Sequence, residues 1–299
     1  MKHNSRKIFT LAPQFKNSLE TSESKKSIPI LLSPSDQGVR RNLGRNGARF
    51  GARAIIEQFK KLNSHHDLQF YEKTVTEQND ERHDFELAQK NQARRMSEIL
   101  AKRPRAIHLG GGHDHVLPFL IGIDLKKDIK NMIIINLDAH LDTRVDKTPH
   151  SGTPFRDFDR LATKPFYLFQ YGIHPESNSK TTLTPLSHNK MHIHYKENNP
   201  NDLSFIDSLL TNCPFEVETQ TALVLSVDAD GLSSSFMRAV SAVNPFGIEL
   251  SEFFNIIEIV KDFSVKNKFY GIYEYNPIFD DSSASGAKTL ALSLNKFIL

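Results

Sequence analysis

The sequence predicts an α/β fold of three layers, α/β/α, around a central eight-stranded parallel sheet. Three observations carry that expectation. Short β-branched or aromatic runs alternate with longer amphipathic stretches along all 299 residues, which is the pattern of parallel strands joined by helical crossovers. Two runs, Met132-Ile-Ile-Ile-Asn-Leu137 and Ala222-Leu-Val-Leu-Ser-Val227, are apolar at nearly every position, as central strands covered on both faces are. Hydrophobic residues make up 38% of the chain and charged residues 24%, a globular composition able to bury a sizeable core.

Taken in order, the candidate strands are Ile28 to Leu32, Leu68 to Tyr71, Ala106 to Leu109, Met132 to Leu137, Phe166 to Tyr171, Met191 to Tyr195, Ala222 to Val227 and Phe269 to Glu274. Apolar residues three and four apart, such as Phe253, Ile256, Ile257 and Val260, mark helices over Ala52 to Leu62, Asp84 to Lys102, Glu252 to Phe263 and Ala287 to Leu299. No repeat, low-complexity tract or Gly/Ser linker interrupts them, so residues 27–299 are expected to form one domain. Residues 1–26 are expected to be loosely ordered, as untethered termini are.

Bulk properties exclude several function classes. A net charge of +3 from 38 basic and 35 acidic residues gives no concentrated field for nucleic acid or a membrane surface. No segment approaches the length of a membrane span, and the N-terminal stretch lacks the apolar run of a secretory signal. Its Glu20 and Glu23 also argue against a mitochondrial leader. The single cysteine, Cys213, fits a reducing compartment, and a cytoplasmic protein is expected.

In an open parallel sheet, ligands bind beyond the carboxyl ends of the strands. Three polar clusters stand there: Gly110-Gly-Gly-His-Asp-His115 after Leu109, Asp138-Ala-His-Leu-Asp142 after Leu137, and Asp228-Ala-Asp230 after Val227. Residues i, i+2 and i+4 of an extended strand end point the same way. Asp138, His140 and Asp142 are therefore expected to converge, as are Asp228 and Asp230. So many carboxylates in one crevice repel and desolvate one another unless cations neutralise them. Two divalent ions held by His113, Asp138, His140, Asp142, Asp228 and Asp230 fit that charge. A mixed histidine and carboxylate set without thiolate suits Mn²⁺, with Fe, Co, Ni and Zn behind it. Any one cluster alone could be a capped turn or a glycine turn before a helix; their coincidence at strand ends of one sheet decides for metal. Gly110, Gly111 and Gly112 are expected to let the backbone approach the ions closely.

GGGH at 110 to 113, DAHLD at 138 to 142 and SVDAD at 226 to 230 resemble the three signatures of the ureohydrolase superfamily, which includes arginase, agmatinase and formimidoylglutamase. Glu274-Tyr-Asn-Pro277 resembles the segment in which a glutamate holds the substrate's amidine or guanidine group. The resemblance runs from about residue 28 to the end and implies the arginase/deacetylase-like fold. Ser35-Asp-Gln-Gly-Val-Arg-Arg-Asn-Leu-Gly-Arg-Asn-Gly-Ala48, Ser151-Gly-Thr-Pro-Phe155 and Ser241-Ala-Val-Asn-Pro-Phe-Gly247 look like the formimidoylglutamase branch. Arginases and agmatinases usually carry a histidine matching Ser151; His150 sits one residue off that place. The chain departs from related enzymes at Ser233-Ser234, at Met237-Arg238-Ala239 and at Arg53.

The resemblance implies a binuclear manganese hydrolase that cleaves the formimino C–N bond of N-formimino-L-glutamate to L-glutamate and formamide, a step of histidine catabolism. A metal-bridging hydroxide would attack the formimino carbon, Asp142 would accept the proton, and Glu274 would pair with the protonated formimino nitrogen. The substrate's carboxylates call for bidentate arginine contacts: Arg144 is the first candidate, with Arg45 and Asn178 behind it. The alternatives are a guanidine hydrolase releasing urea (arginase, agmatinase or guanidinobutyrase) and a non-catalytic metal-binding relative. The resemblance also implies a homo-oligomer, trimeric or hexameric.

Overall fold

A computed structural model describes residues 27–62, 70–75, 84–196 and 205–299. The expectation for residues 1–26 falls outside the described residues, as do Leu68 and Gln69 of the second expected strand. Among the described residues there are eight strands: β1 (Ile28–Ser33), β2 (Phe70–Thr74), β3 (Arg105–Gly110), β4 (Asn131–Leu137), β5 (Phe166–Ile173), β6 (Lys190–Tyr195), β7 (Thr221–Asp228) and β8 (Asn267–Tyr273). They form one sheet in the order β2-β1-β3-β8-β7-β4-β5-β6, parallel at every adjacent pair.

Eight α-helices accompany them among the described residues: α1 (Gln37–Arg41), α2 (Gly51–Phe59), α3 (Phe85–Leu100), α4 (Val116–Asp124), α5 (Pro154–Leu161), α6 (Phe205–Asn212), α7 (Leu250–Asp262) and α8 (Ser285–Ile298). Alternate residues of the central strands feed two separate cores, as a sheet covered on both faces requires. Ile133, Ile135 and Leu137 pack with α2, α7 and α8, whereas Met132 and Ile134 pack with α3, α4 and α5. Full burial of each such side chain is worth roughly 1.5–3 kcal/mol, enough to fix which strands lie at the centre.

The four helices expected from periodicity are α2, α3, α7 and α8. Asp84 caps the start of α3 by accepting a hydrogen bond from the Glu86 amide at 3.1 Å. Helix α4 gives no periodic signal because nearly all of it is buried; a helix apolar on every side cannot be told from a buried strand by spacing. Helices α1, α5 and α6 are eight residues or shorter, below the window in which a repeating face can be told from chance. No helix among the described residues is long and apolar enough to cross a membrane.

The sheet order brings the chemistry together. Strands β3 and β4 follow one another in sequence, yet β8 and β7 lie between them. The register pairs Leu109 with Ile272, Ile272 with Val227, and Val227 with Leu137. Four adjacent strands therefore end level, and the residues after them face one crevice.

Candidate metal centre and its cavity

Each central strand delivers a polar residue at its end. Asp228 is the last residue of β7, Asp138 follows β4 and Glu274 follows β8. His113 begins a 3₁₀ turn, His113–His115, that continues into α4. All four are buried.

His113 Nδ1 lies 2.8 Å from Asp142 Oδ2, 3.1 Å from Asp228 Oδ2 and 3.3 Å from Asp138 Oδ2. The other face of Asp138 turns to a second set, with Oδ1 3.5 Å from His140 Nδ1, which is itself 3.4 Å from Asp230 Oδ1. Two groups of potential ligand atoms result: His113, Asp138, Asp142 and Asp228, and then Asp138, His140 and Asp230, each within a span of 4.8 Å. Asp138 belongs to both. Asp230 Oδ1 is buried without a hydrogen bond, and such an oxygen is costly unless a cation meets it. The residues fit a metal site of oxygen and imidazole donors, which is the donor set of a hard or borderline divalent ion.

Without cations, the cluster holds protons. Burial alone would lower the His113 imidazole, but Asp138, Asp142 and Asp228 outweigh it and hold its pKa well above the usual value. The Asp230 charge does the same for His140 against its burial. Burial raises Asp142, helped by Asp138, and raises Asp228 further, helped by Asp230 and Asp138. Asp138 is the exception: burial opposes its charge, yet His113 and His140 hold it well below the usual range. Glu274 is pushed well up by burial and then by Asp230. Metal binding must displace these protons.

The convergence expected from strand alternation is present, but its cause differs. Strand β4 stops at Leu137, and Asp142 reaches the cluster by a left-handed turn at φ 50°. Asp230 lies in the 3₁₀ turn Ala229–Gly231, its amide donating to Asp228 Oδ1 at 2.9 Å. Glu274 also has a left-handed backbone, φ 60°. Non-glycine residues held there cost on the order of 1–3 kcal/mol each, a strain that collects at functional sites.

Alternation does act inside the strands. Asn136, two residues before Asp138, donates to Asp138 Oδ2 at 3.1 Å and to Gln170 Oε1 at 2.9 Å. Ser226, two residues before Asp228, lies 2.9 Å from His113 Nε2, which leaves Nδ1 for the cluster. Neither residue follows a strand, so neither is among the clusters expected from the sequence. Their signal was a polar residue inside an otherwise apolar central strand.

The triple glycine also has a different reason. A Cβ at Gly111 would lie 1.9 Å from the Ser35 carbonyl oxygen, and one at Gly110 would meet the Tyr273 ring at 2.6 Å. Gly111 thus lets the loop after β1 cross the loop after β3, and Gly110 makes room for the Tyr273 ring at the end of β8. The close approach to a ligand loop is made instead by Gly231, where a Cβ would stand 2.5 Å from Asp138 Cα.

A cavity of about 200 Å³ adjoins the cluster, lined by His140, Asp142, Asp228, Asp230 and Glu274 from the strand ends and the turns after them, and also by Asn42, Arg144, Ser151 and Ser241. Glu274 Oε1 accepts the His113 amide at 3.0 Å. A larger cavity, about 690 Å³, lies beyond His140 and shares only that residue and Ala242 with the first.

Of the three residues expected to meet substrate carboxylates, Arg144 alone lines the smaller cavity. Arg45 is turned away: its guanidinium donates to the Val240 and Ser241 carbonyls and lies 3.8 Å over the Phe279 ring. Asn178 uses its whole amide on backbone, accepting from Leu141 N at 2.9 Å and donating to Ala139 O at 3.0 Å and His174 O at 2.8 Å. It braces the loop that carries Asp138, His140 and Asp142. Ser151 lines the cavity, whereas His150 does not and pairs with Asp146 at 2.8 Å.

Residues 26–295 match the arginase family. The chain is 30% identical over 291 residues to a formimidoylglutamase of Cupriavidus pinatubonensis, across 92% of this chain and 88% of that one. It is 30% identical over 263 residues to a formimidoylglutamase of Salmonella newport, across 86% and 80% of the two. Among solved structures, the formimidoylglutamase of Bacillus subtilis superposes with a TM-score of 0.80 at 19% identity, over 99% of this chain and 93% of that one. Trypanosoma cruzi formiminoglutamase with Mn²⁺ superposes with a TM-score of 0.78 at 20% identity, over 96% and 98%. At these identities the structural likeness is one of fold.

Proposed function

The chain belongs to the arginase family, and from that premise we propose that it is a formimidoylglutamase, cleaving the formimino C–N bond of N-formimino-L-glutamate to give L-glutamate and formamide. Two Mn²⁺ are assigned per chain, one to His113, Asp138, Asp142 and Asp228, the other to Asp138, His140 and Asp230. Bound there, they lower the pKa of water and so provide a nucleophile near neutral pH.

The observation that carries this reading is Arg144. It lines the same small cavity as Glu274, and among the described residues its only side-chain hydrogen bond goes to a neutral amide, Asn42 Oδ1, at 2.7 Å. Among the described residues it pairs with no carboxylate. A guanidinium left so beside a small polar cavity suits a carboxylate on the ligand, since charge-assisted, two-pronged contacts orient such a group strongly. Formiminoglutamate supplies both ends, an amidine for Glu274 and a carboxylate for Arg144.

Glu274, ionised once the cationic amidine offsets its burial and the Asp230 charge, accepts hydrogen bonds from the protonated formimino nitrogen; the His113 amide on Oε1 fixes its orientation. Asp142 takes a proton as water adds to the formimino carbon and gives it to the nitrogen that leaves with glutamate. Water's oxygen thereby ends in formamide, and no redox partner is needed. Formamide keeps the second nitrogen.

A panel decides the substrate. Mn-loaded protein is given formiminoglutamate, arginine, agmatine and guanidinobutyrate, and formamide and urea are measured. Formamide from formiminoglutamate should dominate by kcat/KM; dominant urea would make the protein a guanidine hydrolase, and no product from any substrate would make it a non-catalytic relative. Cytoplasmic location and a trimeric or hexameric assembly belong to the same proposal.

A further inference from the structure

Arg144 is held in place by an uncharged neighbour. Its Nη1 donates to Asn42 Oδ1 at 2.7 Å, and Asn42 Nδ2 in turn donates to Ser151 Oγ at 3.0 Å. All three residues line the cavity. Because arginine only donates, the amide oxygen must face it, which leaves the amide nitrogen for the serine. A carboxamide can accept on one side and donate on the other. Aspartate could only accept, and its charge would occupy the guanidinium.

The backbone around Asn42 is arranged to aim it. Asn42 closes α1, its amide donating to Gly38 O at 3.0 Å and Val39 O at 3.1 Å. Leu43 follows in a left-handed conformation, φ 62°, with its side chain 94% exposed. That conformation is strained for leucine and gains no apolar burial here. Gly44 then returns its amide to Val39 O at 2.9 Å. Gly152 stands beside the guanidinium, where a Cβ would lie 3.1 Å from Arg144 Nε and 3.2 Å from Cζ; glycine spares the guanidinium that crowding.

We infer that Asn42 is a positioning residue that makes the cavity selective for substrates bearing a carboxylate. By engaging Nη1 it fixes the guanidinium and leaves the Nε and Nη2 edge, whose two N–H groups are parallel, for a carboxylate. This inference rests on the assignment of Arg144 made above and names the residue on which its orientation depends.

The test uses the full-length Mn-loaded enzyme and the variants Asn42→Ala and Asn42→Asp. Kinetics are measured on formiminoglutamate and on N-propylformamidine, which keeps the formimino group and lacks carboxylates. Asn42→Ala should raise KM for formiminoglutamate roughly tenfold with kcat within about twofold. Asn42→Asp should raise it further, because its own carboxylate competes for Arg144, and neither variant should change kcat/KM for N-propylformamidine by more than about twofold. Equal losses on both substrates, no loss on formiminoglutamate, or failure of both variants to fold would overturn the inference.

If wild-type protein does not hydrolyse formiminoglutamate, the proposed substrate fails by itself. Asn42 is then tested on guanidinobutyrate against agmatine, which carries an amine in place of the carboxylate. Selective loss on guanidinobutyrate supports the inference; a wild-type preference for agmatine overturns it.

Discussion

The floor and the wall of the small cavity are built differently. On the floor, Asp138, Asp228 and Glu274 stand at or one residue beyond the ends of adjacent strands, buried and locked by backbone pairing. Along the wall, Asn42, Arg144 and Ser151 come from segments outside the sheet and meet through two side-chain hydrogen bonds. Arg144 and Asn42 are half-buried. The floor is rigid because moving any carboxylate would shift a central strand. The wall can change one residue at a time without disturbing the sheet, as befits the part proposed to select the substrate.

The largest expected effect tests the floor. Asp228→Asn removes an anionic oxygen facing His113, so metal content by elemental analysis should fall below that of wild type. Turnover should drop by more than about 10³-fold. Retained metal and turnover would place the chemistry elsewhere.

A smaller effect tests the wall. Arg144→Lys keeps the charge but loses the planar fork, so KM for formiminoglutamate should rise on the order of 10- to 100-fold. Metal content should stay at the wild-type value. A metal loss as large as that of Asp228→Asn would erase the distinction between the two regions.

The smallest effect concerns pH. His113 and His140 have raised pKa values in the metal-free fold, so above about pH 6.5 the folded state binds more protons than the unfolded one. Their stabilisation is complete below that pH and is lost as pH rises through the folded-state values. Asp142, Asp228 and Glu274, also raised, add in the same direction above about pH 4. Asp138 is lowered, so its contribution is complete above about pH 4 and constant in this range. The Tm of metal-free protein should therefore fall between about pH 6.5 and 8.5, at about 2–4 °C per kcal/mol lost. Added Mn²⁺ should raise Tm more at the upper pH. A metal-free Tm that rises with pH would contradict the proton-holding cluster.

The amino-acid sequence alone determined the eight strands, the four helices with a repeating apolar face and the six candidate ligands. Strand composition, helical periodicity and polar residues after buried strands are all local signals. It also marked Arg144, two residues past Asp142. Only the tertiary structure decided that the floor is continuous, because β8 and β7 enter between β3 and β4 from far along the chain. It also turned Arg45 towards Phe279, gave Asn178 to the loop backbone and brought Asn42 from outside the sheet to Arg144. Those outcomes depend on hydrogen bonds between residues some forty to two hundred positions apart, and on left-handed turns at Leu43 and Asp142, a conformation that leucine disfavours and aspartate adopts only occasionally. No local pattern encodes them, and the packed sheet that enforces them exists only once the chain has folded.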